Sequence, residues 1–171
     1  AAQAGLLVHL QFTGDYNDPI EKLRRITDGG ARFGKFPKSV QSESITIEHI
    51  PAELIIPPRA DVHSALLYLH GGGYAMGSIK SHRAAAGQIA EAGNIRTLII
   101  DYRRPPEHPF PAALQDALTA YDWLRKNGCE KIMIAGDSAG GGLALATVIS
   151  LQNNQTPLPS LVICLSPLID V

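Results

Sequence analysis

The sequence predicts an α/β fold, a mostly parallel sheet flanked by helices. Three nearly unbroken apolar runs, Ala65 to Leu69, Arg96 to Ile100 and Lys131 to Ala135, have the length and character of strands buried on both faces. Stretches with helical periodicity lie between them, so strand and helix alternate along the chain. No internal repeat, heptad or low-complexity segment interrupts that alternation.

The composition fits such a fold. Hydrophobic residues make up 45% of the 171 and charged residues only 18%, enough apolar material for one core and too little charge for disorder. A formal net charge of -1 leaves no excess of Lys and Arg for a phosphate-binding footprint, which argues against nucleic acid as a partner. The two cysteines, Cys129 and Cys164, cannot make a disulfide framework, and neither sits in a C-x-x-C or among histidines as a zinc site requires. A reducing, cytoplasmic setting is the expectation. No apolar run reaches membrane-spanning length, and the short stretch Gly5 to Leu10 lacks the basic flank of a signal peptide.

Taken in order, Asp18-Pro19 reads as an N-cap with Pro at the first helical position. Ile20, Leu23 and Ile26 then recur at helical spacing until Gly29-Gly30 ends the run. Residues 1–42 are expected to form an appendage, and 43–171 the main domain. Ile45, Ile47 and Ile50 alternate with polar residues, and Glu53 to Ile56 follows, which predicts two antiparallel, half-exposed strands. Helices are predicted over Ser81 to Ala92, closed by Gly93, and over Ala112 to Lys126, closed by Gly128. In the second, Leu114, Ala117, Leu118, Tyr121 and Leu124 form a stripe that can lie on the sheet, and Trp123 beside it reads as core. A third helix is expected from about Ala139 to Gln152. Leu161 to Leu165 predicts a sixth strand with both faces apolar, which calls for a neighbour or a cover.

The chemistry concentrates in two turns. Gly136-Asp137-Ser138-Ala139-Gly140 satisfies G-x-S-x-G directly after a predicted strand and directly before a predicted helix. Such a turn strains the backbone of Ser138, needs small neighbours, and raises the hydroxyl above a helix N-terminus that favours negative charge. The second turn is His70-Gly71-Gly72-Gly73-Tyr74, at the end of the strand Ala65 to Leu69. Successive glycines let backbone N–H groups converge on one point, as the oxyanion of acyl transfer requires. The donors expected are Gly71, Gly72 and Ala139; Gly73, Tyr74 and Asp137 shape the site, and His70 positions the loop. A plain flexible turn is the alternative. A phosphate loop would carry Lys after its last glycine, and a dinucleotide fingerprint would read G-x-G-x-x-G; neither is present.

These segments resemble the hormone-sensitive lipase family of α/β-hydrolase esterases. The matching stretches are Leu67 to Tyr74, Asp101-Tyr102-Arg103 with Pro106 to Ala112, Gly136 to Gly141, and Leu165-Ser166-Pro167 with Asp170. The resemblance implies an α/β-hydrolase fold with an N-terminal helical cap, to which residues 1–42 would belong. It implies hydrolysis of small carboxylic esters of short to medium acyl chain, without a cofactor. One departure is Arg104-Pro105, where the family usually has Leu-Ala.

A serine mechanism needs a base and an acid, which in α/β-hydrolases follow the serine in the order acid, then His. All six histidines precede Ser138, and the single carboxylate after it, Asp170, falls where the resemblance implies a structural acid. The expectation is therefore an N-terminal portion of a larger esterase, its last strands and helices missing, or a chain completed by a companion polypeptide that carries Asp and His. Oligomeric state is open. The order His70, Asp101, Ser138 also suggests a chymotrypsin-like protease, but that fold needs two antiparallel barrels rather than alternating strand and helix. A non-catalytic ligand-binding or assembly module on the same scaffold is the remaining alternative.

Overall fold

The structure is a computed structural model that describes residues 15, 17–30 and 34–169. The elements run α1 (Ile20–Gly30), β1 (Gln41–Ile47), β2 (Ile50–Ile56), β3 (Ser64–Leu69), α2 (Ile79–Gly93), β4 (Arg96–Ile100), α3 (Ala112–Lys126), β5 (Lys131–Asp137), α4 (Ala139–Asn153) and β6 (Leu161–Leu165). They form one six-stranded sheet in the order β1-β2-β4-β3-β5-β6. β3 to β6 are parallel, and the β1-β2 hairpin joins β4 antiparallel.

Alternation along the central strands sends side chains into two cores. Leu66 and Tyr68 of β3 pack with Ile55, Ile99 and α2 residues Ala86 and Ala90 on one face. Ala65, Leu67 and Leu69 pack with Leu98, Ile134, Tyr121, Leu124 and Leu143 on the other, under α3 and α4. The chain leaves β3 toward β4 and then crosses to β5 on the opposite side, so the order reverses at β3. In open α/β sheets the carboxyl ends at such a reversal frame the ligand crevice. Leu69 is in register with Gly136, which sets His70 opposite Asp137 at that edge.

Several expectations change. β2 is buried along most of its length, not half-exposed, because it pairs with β4 inside the sheet and both of its faces are covered. The Asp18 carboxylate, expected to cap α1, pairs with Lys22 at 2.8 Å and accepts from the Asp15 N–H at 3.3 Å. α2 starts at Ile79, two residues early, because Ser78 caps it and Ser81 completes a capping box with serine where Glu or Gln is usual. Its C-cap is Asn94 at φ 46°, so Gly93 lies within the helix. One face of β6, Val162 and Cys164, is half-buried, while Leu161, Ile163 and Leu165 remain 49%, 38% and 46% exposed among the described residues. Asp170, His9 and Gly5 to Leu10 lie outside the described residues. No helix among the described residues is long and apolar enough to cross a membrane.

Candidate active site

The turn between β5 and α4 carries Ser138 at φ 50° and ψ -120°, a conformation that costs a non-glycine residue energy. The flanking glycines are required by contact. A Cβ on Gly136 would overlap the Gly140 carbonyl, and one on Gly140 would overlap Leu69 O at the end of β3. Ser138 is the N-cap of α4, its N–H donates to Leu165 O at 2.9 Å, and its carbonyl accepts from Leu168 N at 2.8 Å and Gly142 N at 3.2 Å. The turn is thus held from β6 as well as from its own helix. Ser138 Oγ forms no hydrogen bond among the described residues. Ala139 opens α4, and N–H groups at this end of a helix have no partner within it.

The glycine loop follows β3. Gly72, Gly73 and Tyr74 all have positive φ, at 127°, 58° and 61°, and Gly72 O accepts from Met76 N at 2.8 Å to close the bend. The N–H groups of Gly72 and Gly73 have no hydrogen-bond acceptor among the described residues. Gly71 differs. Its N–H donates to Asp137 Oδ1 at 3.0 Å, so it is engaged rather than free, against the expectation that named it an oxyanion donor.

Asp137 gathers three donors. Tyr68 Oη donates to Oδ1 at 2.9 Å beside the Gly71 N–H, and His82 Nε2 stands 3.4 Å from Oδ2. Burial alone would raise its pKa, but the hydrogen bonds from His82, Tyr68 and Gly71 outweigh that and hold it below the ordinary carboxylate value. No local pattern marks either side chain as a partner of Asp137: Tyr68 lies near the end of β3 and His82 in the first turn of α2, and only the fold brings them to that carboxylate.

His70 is fully buried, its ring stacked on Tyr102 at 4.2 Å between centroids. Tyr102 Oη donates to His70 O at 2.7 Å, and His70 Nδ1 lies 2.9 Å from Gly71 O. A carbonyl only accepts, so Nδ1 carries the proton. Burial, with His82 and Arg104 nearby, pushes the ring pKa down to about 3. His70 is therefore neutral and engaged in holding the loop, and it is not available as a base for Ser138. Among the described residues no histidine hydrogen-bonds Ser138. Arg103 clasps the buried Asp116 of α3 through its Nε and an Nη, and His49 adds a contact at 3.1 Å, so the segment after β4 is fixed to α3.

Beside the site an apolar cavity of about 250 Å³ opens between the N-terminal ends of α3 and α4. Tyr74 from the glycine loop, Leu143 and Ala146 from α4, and Leu114 from α3 line it, with Phe110 85% exposed at its rim.

Residues 66–171 match the family model described as alpha/beta hydrolase fold. An acetyl-hydrolase of Streptomyces hygroscopicus is 46% identical over 129 residues, which is 74% of this chain and 43% of that protein. An ethyl acetate hydrolase of Pseudomonas putida is 35% identical over 132 residues, 71% of this chain and 41% of that protein. The crystal structure of an esterase from the bacterial hormone-sensitive lipase family superposes with a TM-score of 0.87 at 39% identity, over 92% of this chain and 54% of that one. The chain spans about half the length of the proteins it matches.

Proposed function

We infer that this chain, which belongs to the alpha/beta hydrolase fold family, carries the nucleophile and the oxyanion donors of a serine carboxylic ester hydrolase. The observation that supports this most is the backbone of Ser138, held at φ 50° and ψ -120° at the carboxyl edge of β5, one residue after the Asp137 that binds the Gly71 N–H of the glycine loop. A strained serine at a helix N-terminus, whose hydroxyl has no hydrogen-bond partner among the described residues, suits attack on a carbonyl, and the Gly72 and Gly73 N–H groups, likewise without acceptors among those residues, suit the oxyanion.

In this reading Ser138 Oγ attacks the ester carbonyl carbon and its proton passes to a base. The C=O π electrons move to oxygen, and the oxyanion is met by the N–H groups of Gly72, Gly73 and Ala139. As the carbonyl re-forms, the C–O bond to the alcohol breaks and the alcohol leaves with the proton from the base. Water then attacks the acyl-Ser138 carbonyl by the same route, which releases the acid and restores the hydroxyl. The base and its orienting acid come from polypeptide outside the described residues, whether continuous with this chain or a companion. The substrate class is an ester of short acyl chain, as the names of the acetyl-hydrolase and ethyl acetate hydrolase relatives suggest. Residues 1–42 are read as part of a cap and 43–171 as the hydrolase core, in a cytoplasmic setting.

The test is labelling by a fluorophosphonate. In the catalytically complete protein Ser138 takes the label and Ser138→Ala abolishes both label and turnover of p-nitrophenyl butyrate. Residues 1–171 alone show no appreciable turnover, because loss of the base costs on the order of 10⁶ in rate. A complete protein whose Ser138 stays unlabelled would instead be a binding or assembly module on the same scaffold.

A further inference from the structure

Helix α1 reaches the rest of the molecule through several polar side chains, and Leu23 is its one buried residue among those described. Arg24, Thr27 and Asp28 stand three and four residues apart, and so share one face. That face meets the segment that follows Gly72 and Gly73. Arg24 Nε donates to Ala75 O at 2.9 Å. Its two terminal nitrogens grip the Glu107 carboxylate at 2.7 and 2.8 Å, and one of them also reaches Pro105 O at 2.9 Å. Asp28 Oδ1 accepts from Ser78 Oγ at 2.5 Å, and Ser78 is the residue that caps α2. Thr27 Oγ1 lies 3.9 Å from Met76 Sδ between them.

The glycine loop is consequently pinned at both ends. Gly71 is tied to Asp137 at one, and Ala75 and Ser78 are tied to α1 at the other. Between the pins lie Gly72, Gly73 and Tyr74, and glycine backbone rotates freely unless its ends are held. A shift of roughly 1 Å in a catalytic group costs on the order of 100-fold in rate, so holding those ends matters for chemistry and not only for stability.

We propose that Arg24 and Asp28 are positioning residues, which act through Ala75 and Ser78 to hold the Gly72-Gly73 amides in place, so that docking of α1 governs turnover. The effect on turnover rests on the ester-hydrolase reading above; the effect on the loop does not.

The experiment is amide hydrogen exchange on the 171-residue chain, with the Met76 amide, bonded to Gly72 O at 2.8 Å, as reporter. Arg24→Ala and Asp28→Ala are each expected to speed Met76 exchange by about tenfold, the scale of losing a charge-assisted hydrogen bond, while amides of β3 and β5 keep their rates. Arg24→Lys and Asp28→Asn, which keep a donor and an acceptor, recover part of the protection. Lys22→Ala, whose partner Asp18 lies beside α1 rather than in the loop, changes nothing at Met76. Where an alanine variant does not fold, Glu107→Gln reads out the same contact from outside the helix and loop, with a smaller acceleration in the same direction. In the complete enzyme Arg24→Ala and Asp28→Ala lower kcat by about tenfold with KM held within roughly twofold. Unchanged Met76 exchange, an equal acceleration of every amide, or a rise in KM in place of the fall in kcat overturns the proposal. Failure of the ester-hydrolase reading looks different: the exchange contrast persists while the unaltered complete protein turns over no ester.

Discussion

Asp137 Oδ1 accepts the Gly71 N–H at 3.0 Å, which joins the serine turn to the glycine loop across the β3-β5 pair. The carboxylate immediately before the candidate nucleophile is thereby the fastener between the two bends that make the site. Removing it should separate them. Asp137→Ala is expected to destabilise the fold by about 2–4 kcal/mol, since it leaves the buried Tyr68 hydroxyl and Gly71 N–H without an acceptor. Its pH dependence has a definite sign. The folded-state pKa lies below the unfolded value, so the stabilisation is present above about pH 4 and is lost as pH falls through the folded value. Urea unfolding at pH 7 and at pH 3 checks this: the gap between the parent chain and Asp137→Ala should be wide at the first and narrower at the second.

Strain at Ser138 predicts an unusual result for a candidate nucleophile. Ser138→Gly should raise stability by roughly 1 kcal/mol, because glycine occupies φ 50° and ψ -120° without the Cβ penalty. Ser138→Ala keeps the Cβ and should bring no such gain. Thermal unfolding of the two variants side by side separates backbone strain from the loss of the hydroxyl; equal shifts would exclude strain as the cause.

The glycines of the loop are not equivalent. A Cβ on Gly72, at φ 127°, would run into the Met76 backbone, whereas one on Gly73, at φ 58°, meets nothing within 4 Å. Gly73→Ala should therefore cost only about 1 kcal/mol of left-handed backbone penalty, while Gly72→Ala should displace the bend and cost several times as much. Denaturant midpoints of the two purified variants are the measurement, and a reversed order would contradict the loop geometry.

His70 Nε2 and Asp101 Oδ1 are buried without hydrogen-bond partners among the described residues, 3.7 Å apart. With Nδ1 donating to Gly71 O, Nε2 is an acceptor, so two acceptors face each other whenever Asp101 is ionised. Burial raises the Asp101 pKa; Arg104 and Arg24 oppose this, and Asp28 adds to it. A carboxyl raised on folding favours the folded state less as pH climbs above its unfolded value near 4. Asp101→Asn supplies an N–H toward Nε2 and removes the ionisation. It should be more stable than the parent at pH 7, with the advantage fading toward pH 3.5, as urea titrations at the two values would register.

Much of the architecture was legible in the chain because it is set by neighbours in sequence. Arg96 to Ile100 and Ala112 to Lys126 were expected with the bounds that β4 and α3 have, since apolar runs and helical periodicity are local patterns. The strand-turn-helix around Ser138 and the glycine bend after β3 were local in the same sense. What a segment packs against is not. The second face of β2 is covered only because the chain inserts it beside β4, and half-exposure was the natural reading of its alternation.

The same division runs through the site. Sequence by itself determined where the serine and the glycines would lie, because backbone conformations such as φ 50° at Ser138 and φ 127° at Gly72 are demanded by short turns and tolerated by few residues. Tertiary structure alone decided which amides remain free. Gly71 lost that role to a carboxylate 66 positions away, and Arg24 found its carbonyl acceptors and Glu107 51 to 83 positions away. A hydrogen bond is a choice among partners brought within about 3 Å, and no pattern along one chain encodes which distant group will arrive there.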